Sequence, residues 1–435
     1  MRKQKAIYIL GAGPLGLKVI EWACELGLNT IVSDRNQHAS GRHLADHFVH
    51  ADAAGKDDHL NAIKKYLEVY DIVGAFCGNE VGVLSVYSIN KALSIENNSK
   101  KALGIVLDKK LMKSRWENDG INAPQTLLIR DEKELKSFLN ENEGRYILKP
   151  SLGSGSRGVH LVKQGTDLES IFEEVLKPVG GMGTVIIEPY IEGRSIDTNG
   201  LFMNGKFFPT GVLEKYITDP PDCLPLGGFD PVELTLNEET ELFNLFEEAC
   251  RSIGLNAGPV KGDFIKTKEG FVVLEVAPRL HGDVTTCNTL PHGSGINPVK
   301  AYFQFLKSGE IDDSYLSQTK QRYGIWRVLC LPPGKIAKII KPDEKNYIGV
   351  TKVWLNPRTR HEIKPYKNTV QIPGYICGYG RDKNEAEQRM ESYFQDFNIE
   401  VEPTTKYLKW YNNLGHKLDQ LGFSRKSCGY QDKYN

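Results

Sequence analysis

Phe271-Val272-Val273-Leu274-Glu275-Val276-Ala277-Pro278-Arg279-Leu280-His281 runs apolar and then closes on a carboxylate, a guanidinium and an imidazole. Its β-formers predict a strand, and Pro278, which has no N–H to give a sheet ladder, predicts where that ladder ends. Alternate strand positions share a face, so Glu275, Ala277 and Arg279 are expected to project together. A carboxylate there can hold a hard divalent cation, and an arginine fork matches phosphate or carboxylate oxygens. By itself the pattern reads as well as a strand-edge ion pair, worth about 0–1 kcal/mol at a surface.

A second segment shifts the balance. Tyr146-Ile147-Leu148-Lys149-Pro150 reads as a short strand bearing a lysine, and Ser151-Leu152-Gly153-Ser154-Gly155-Ser156-Arg157-Gly158 as a loop rich in glycine and serine. Glycines permit positive φ and close backbone approach, so successive N–H groups can converge on a phosphate beside Lys149. This is not a Walker A loop, in which the lysine follows the glycines. A flexible surface hairpin is the plainer reading.

In this order the residues resemble the ATP-grasp superfamily, over roughly residues 1 to 310. Lys109, after Asp108 and ahead of Gly120-Ile121 and Pro124, and Lys149 resemble two lysines that contact ATP phosphates, with Gly153, Ser154, Gly155 and Ser156 as the loop beside them. Glu188-Pro189-Tyr190-Ile191-Glu192-Gly193 resembles the strand that reads adenine, which implies Glu188 toward the amino group and the Ile191 backbone toward a ring nitrogen. Lys215 resembles a further lysine on a mobile loop, Lys261 a basic site residue, Asp263 and Glu275 the two magnesium-binding carboxylates, and Arg279 the arginine facing the transferred phosphoryl group.

Two positions depart from the pattern. Ser195 stands where many relatives carry a ribose-binding glutamate, leaving Asp197 as the nearest acid, and Ala277 stands where many carry a metal-ligating asparagine. The Glu-x-Ala-Pro-Arg-x-His form resembles carboxyaminoimidazole ribonucleotide synthase, but His281-Gly282-Asp283 does not continue that family's His-Asn-Ser-Gly-His.

The amino end carries a dinucleotide fingerprint: a strand, Ala6 to Leu10, runs into Gly11-Ala12-Gly13-Pro14-Leu15-Gly16, and Asp34 follows a second strand. ATP-grasp enzymes commonly begin with a Rossmann-like domain of this appearance, so the resemblance implies the fold without NAD. An NAD-dependent oxidoreductase is the alternative from another class.

Lys plus Arg, 55, equals Asp plus Glu, 55, in 435 residues, which offers no global electrostatic case for nucleic acid or an acidic membrane. No targeting or membrane-spanning segment is recognised, and the eight cysteines lack C-x-x-C spacing, so the expected setting is a reducing cytoplasm. The expected fold class is α/β and α+β. A Rossmann-like pre-ATP-grasp domain spans 1–108, with helices over Leu15–Glu25 and Leu60–Tyr70. A two-lobed ATP-grasp domain spans 109–310, its first lobe 109–183 and its second 184–310. A small C-terminal α+β domain with a helical tail spans 311–435. Thr218 to Gly228, rich in proline and glycine, is expected to be a loop over the site or a spacer. Strands near Tyr323–Leu331 and a helix over Ala386–Phe397 are expected, with a tail that docks through Trp410, Tyr411, Leu414, Leu418 and Leu421. Gly334-Lys335-Ile336, Gly374-Tyr375-Ile376 and Asn384-Glu385-Ala386 resemble the C-terminal domain of bacterial L-amino-acid ligases. Arg327 reads as a strand-surface charge or as a residue reaching an acceptor site.

The implied activity is an ATP- and magnesium-dependent carboxylate–amine ligase, with manganese as a substitute ion. It would work through an acyl phosphate and release ADP and phosphate. Lys109, Lys149 and Lys215 would neutralise phosphates, Arg279 would stabilise the transferring group, and His281 would orient substrate or take the amine's proton. Carboxylation of an amine through carboxyphosphate is the alternative within the superfamily, and a nucleotide-binding regulator without chemistry the alternative outside it. The implied partners are a small-molecule carboxylate and amine, with no nucleic acid and no membrane, and a homodimer is left open.

Overall fold

The computed structural model describes residues 3–14, 16–218, 224–282, 284–356, 362–366 and 371–434. Near the amino end the strands His47–His50, Asn29–Asp34, Gln4–Leu10 and Tyr70–Cys77 lie in that order, all parallel. Ala6 to Leu10 is buried on both faces, as a central parallel strand covered by helices requires. The first helix runs Leu17–Glu25 with Gly16 as its N-cap, and Leu15, its expected start, lies outside the described residues. The second departs from expectation. It spans Lys56–Tyr66, with Asp57 and Asp58 favouring its first turn, and Tyr70 already opens the next strand.

Asp108 and Gly120 act as punctuation. The Asp108 carboxylate accepts from the Lys110 N–H at 2.9 Å, and Gly120 ends the helix Lys109–Asp119 at φ +72°, a conformation glycine takes without strain. A four-stranded antiparallel sheet follows, in the order Leu127–Ile129, Val185–Pro189, Tyr146–Pro150, His160–Val162. Val185–Pro189, which the expected boundary at 183 gave to the second lobe, bonds to strands on both sides in this sheet.

The other large sheet has eight strands, ordered Phe271–Ala277, Gly258–Lys266, Arg194–Met203, Lys206–Ile217, Pro225–Asp230, Tyr323–Val328, Gly374–Gly380 and Val350–Leu355. It therefore crosses the expected boundary at 310, and the C-terminal α+β segment is built onto the lobe's sheet. Leu224, Leu226 and Phe229 share one core with Ile325, Ile376, Met390 and Tyr411. The helix Leu236–Ser252, started by a Thr235/Glu238 capping box, covers the sheet with Leu242, Phe246 and Ala249.

Part of the expected loop at 218–228 is strand. Residues 219–223 lie outside the described residues, but Pro225–Asp230 is fully buried. A Cβ on Gly227 would come within 2.7 Å of the Trp326 carbonyl oxygen, and one on Gly228 within 2.5 Å of the Trp326 indole nitrogen. These glycines serve close packing rather than flexibility.

The later helix runs Lys383–Asp396, capped by Asp382 three residues ahead of the expected start. The tail forms Leu408–Gln420 and docks on the body through Tyr411, Leu414 and Leu418. Arg327 is neither a surface charge nor open to an acceptor. It is fully buried, its Nη2 is 2.6 Å from Glu387, and its guanidinium lies 3.7 Å from the centre of the Phe423 ring. Among the described residues no helix is long and apolar enough to cross a membrane.

Candidate functional site

Strand register brings three carboxylates into one row. Asp263 on Gly258–Lys266 lies opposite Glu275 on one neighbouring strand and opposite Asp197 on the other. Acids about 5 Å apart across strands repel unless cations intervene. Here they do. Lys261 is 2.5 Å from Asp263, Lys215 is 2.5 Å from Asp197 and 3.9 Å from Asp263, and Lys109 is 3.7 Å from Glu275. His281 Nε2 completes the cluster, 2.9 Å from Asp197 and 3.4 Å from Asp263.

Burial and charge oppose each other in this row, and charge prevails. Burial pushes the Asp263 carboxyl up, but Lys261, Lys215 and His281 hold it well below the ordinary range. Glu275 is likewise raised by burial and brought below its ordinary value by Lys109 and Lys261. Burial lowers the Lys215 ammonium, yet Asp197 and Asp263 more than restore it, so it stays charged.

Asp263 and Glu275 of this row face a cleft of about 530 Å³, with Asp197 buried behind them. Lys109, Lys149, Lys215, Asp263 and Glu275 line it, as do Gly153, Ser154, Gly155 and Ser156 of the glycine-rich loop. Gly153 and Gly155 stand at φ +90° and +72°, and the Lys109 ammonium donates to the Gly153 carbonyl at 2.5 Å. Pro189 at the end of Val185–Pro189, Tyr190 and Ile191 just beyond it, and Ser195 on Arg194–Met203 line the same cleft. Lys261 does not line it and reaches it only through Asp263.

Two expectations change. Glu188 borders the cleft, but it is 3% exposed and both its oxygens are engaged. Lys149 donates to it at 2.6 Å, Thr126 at 2.9 Å, and Lys113 stands 3.7 Å away. Burial raises this carboxyl, and the two ammonium groups bring it below its ordinary value. It anchors the lysines instead of waiting for an amino group. Arg279 does not share a face with Glu275. The ladder stops at Ala277, Arg279 N–H turns back to the Ala277 carbonyl at 2.9 Å, and the guanidinium reaches Glu80 at 3.2 Å. Asp34, the acid of the amino-terminal fingerprint, accepts the Ala12 N–H at 2.8 Å and the Asn36 N–H at 2.7 Å.

Sequence reading missed Lys113, which is buried one helical turn beyond Lys109, its ammonium pushed down to about 7 chiefly by burial. It also gave Asp197 no place in the row. A signal existed: Asp197-Thr198-Asn199 is a polar triplet between Ile196 and the apolar Leu201-Phe202-Met203 of its strand and is fully buried. Asn199 Oδ1 accepts the His281 N–H at 2.7 Å, which fixes the backbone beneath the imidazole.

The donor set suits a hard divalent cation. Asp263 and Glu275 are in-register carboxylates on the cleft wall, and a buried Asp263 oxygen has no hydrogen-bond partner among the described residues. Ala277 is buried and offers no ligand.

The sequence matches the ATP-grasp domain family over residues 106–283. Residues 106–283 form an ATP-grasp domain. Among curated proteins, the chain is 28% identical over 295 residues to the formate-dependent phosphoribosylglycinamide formyltransferase of Prochlorococcus marinus, covering 64% of this chain and 70% of that one. It is 23% identical to the 3-methyl-D-ornithine–L-lysine ligase of Methanosarcina mazei, over 88% of this chain and 93% of the other. Among solved structures, the L-amino acid ligase of Bacillus licheniformis superposes with a TM-score of 0.72 at 19% identity, covering 92% of this chain and all of that one. The chain is an enzyme with an ATP-grasp domain.

Proposed function

We propose that this ATP-grasp ligase joins a small carboxylic acid to an amine through an acyl phosphate, in the cleft between the glycine-rich loop and the carboxylate row. The row itself carries the reading: three acids in register, balanced by lysines, beside a loop with left-handed glycines. Lys109 and Lys149 draw the phosphates of ATP toward the loop. Asp263 and Glu275 would hold magnesium or a similar ion, which spreads the charge of the phosphate oxygens. The acid's oxygen attacks the γ-phosphorus and ADP leaves; the amine nitrogen then attacks the acyl carbon and phosphate leaves. Lys215, held charged by Asp197, faces the developing negative charge. His281, braced by Asp197 and Asp263, takes the proton the amine loses.

The test is ADP release from the Glu275→Ala variant. A fall of at least about 100-fold, with the circular dichroism of the folded chain retained, is expected. Unchanged turnover would refute the assignment. The Ala277-Pro278-Arg279-Leu280-His281 stretch also supports carboxylation of an amine, and an absolute requirement for bicarbonate would identify it.

A further inference from the structure

His281 stands between the carboxylate row and a second space. One side of its ring meets the carboxylate row, and it also lines a separate cavity of about 340 Å³. Three parts of the chain enclose that cavity. Leu10, Val19 and Phe76 come from the amino-terminal sheet and its helix, Leu280 and Val299 from the segment that follows the carboxylate strand, and Trp354 from the last strand of the eight-stranded sheet. Its walls are mostly apolar, and none of the described residues lining it is lysine or arginine. Asp34, its one carboxylate among the described residues, is spent on the Ala12 and Asn36 amides.

The glycine-rich turn of the dinucleotide-like fingerprint, Gly11, Gly13 and Gly16, thus opens onto this cavity. A pyrophosphate there would meet no described cation. A volume of this size admits a molecule of amino-acid scale, and apolar walls reward an uncharged body by about 25 cal/mol per Å² removed from water.

We propose that this cavity holds the body of one condensing substrate, that this substrate carries a bulky uncharged apolar group such as an aromatic or branched aliphatic side chain, and that Trp354 sets the size accepted. The proposal rests on the ligase reading above. It places the reacting end at His281, on the side nearer the carboxylate row, and the apolar end against Trp354 and Phe76. Trp354 is half-buried and packs at 5.3 Å, ring centre to ring centre, on Tyr375. It borders the core to which Tyr375 belongs, and Trp354→Phe keeps an aromatic ring at that place.

Two measurements on the full chain test this. The first is binding, by calorimetry without ATP, of L-leucine, L-phenylalanine, L-alanine, L-glutamate and ribose 5-phosphate. The second is magnesium-dependent ADP release with the same acids, each with and without an amine pool. L-leucine or L-phenylalanine is expected to bind most tightly. Trp354→Ala is expected to lower the leucine-to-alanine ratio of kcat/KM about tenfold, and Trp354→Phe to restore most of it. Tight apolar binding without ADP release would leave the pocket standing and overturn the ligase reading. ADP release favoured by L-glutamate or ribose 5-phosphate, or an unchanged ratio in Trp354→Ala, would overturn the pocket and leave the ligase standing.

Discussion

Asp197→Asn removes one charge from the centre of the site and keeps the shape of the side chain. Asp197 is fully buried and the Lys215 side chain is 20% exposed, so neither has much water to replace the other. Breaking a buried pair from one side costs about 3–5 kcal/mol, most of it the penalty of stranding the remaining charge. Lys215 would still have Asp263 at 3.9 Å, so the lower end, about 3 kcal/mol, is expected. Lys215→Met should cost a similar amount by stranding Asp197, which would keep only His281. The double variant strands neither, so its loss should fall short of the sum of the two by roughly 2 kcal/mol. The assay is urea unfolding of the four proteins without nucleotide. A loss of about 3 kcal/mol moves the midpoint by about 1–2 M. Two small, additive shifts, each below about 0.3 M, would show that water screens the pair, and the picture of a preset charged row would fail.

Two further predictions concern groups away from the cleft. Asp230 is buried and accepts the Ser294 N–H at 3.1 Å, and burial pushes its carboxyl up to about 8. The folded chain thus keeps a proton that the unfolded chain releases near pH 4. The stability this proton contributes is full below that value and is lost as pH rises toward and through about 8. Asp230→Asn cannot lose it. Melting temperatures should favour the variant increasingly from pH 5 to pH 9, by about 1.4 kcal/mol per pH unit at most, and a constant difference would count against the assignment. Arg327→Met strands Glu387 in the core and should cost about 3–5 kcal/mol, while adding Glu387→Gln should recover much of it. ADP release per folded molecule should stay unchanged. A loss of turnover without a loss of stability would return Arg327 to the acceptor site.

What the sequence could disclose divides along physical lines. The end of the carboxylate strand was legible because proline cannot extend a ladder, whereas Asp108 and Gly120 entered only as part of the family pattern around Lys109 and prove to be helix caps. Asp197 was not placed, because its role depends on register between strands more than sixty residues apart, which no local pattern fixes. The alternation rule put Arg279 beside Glu275, but that rule holds only while the ladder lasts, and Pro278 had already ended it. Glu188 was expected to face a ligand because nothing in its own strand reveals Lys113, which arrives from a helix packed on the eight-stranded sheet. Gly227 and Gly228 read as a flexible loop because composition cannot distinguish a glycine that bends from one that admits a tryptophan.

The cavity behind His281 illustrates the same limit on a larger scale. Leu280 and His281 follow the first strand of the eight-stranded sheet, and Trp354 sits on the last, yet all three line one space. Neighbouring strands turn by about 20–25° relative to one another. Seven such steps between eight strands accumulate on the order of 150°. Twist on this scale means that the two edge strands need not face apart, and it lets the C-terminal segment contribute to a space that starts at the nucleotide lobe. Because Tyr323–Val328 and Gly374–Gly380 are the strands that carry the sheet round to Trp354, packing changes there should alter which substrate is accepted before they alter how ATP is held.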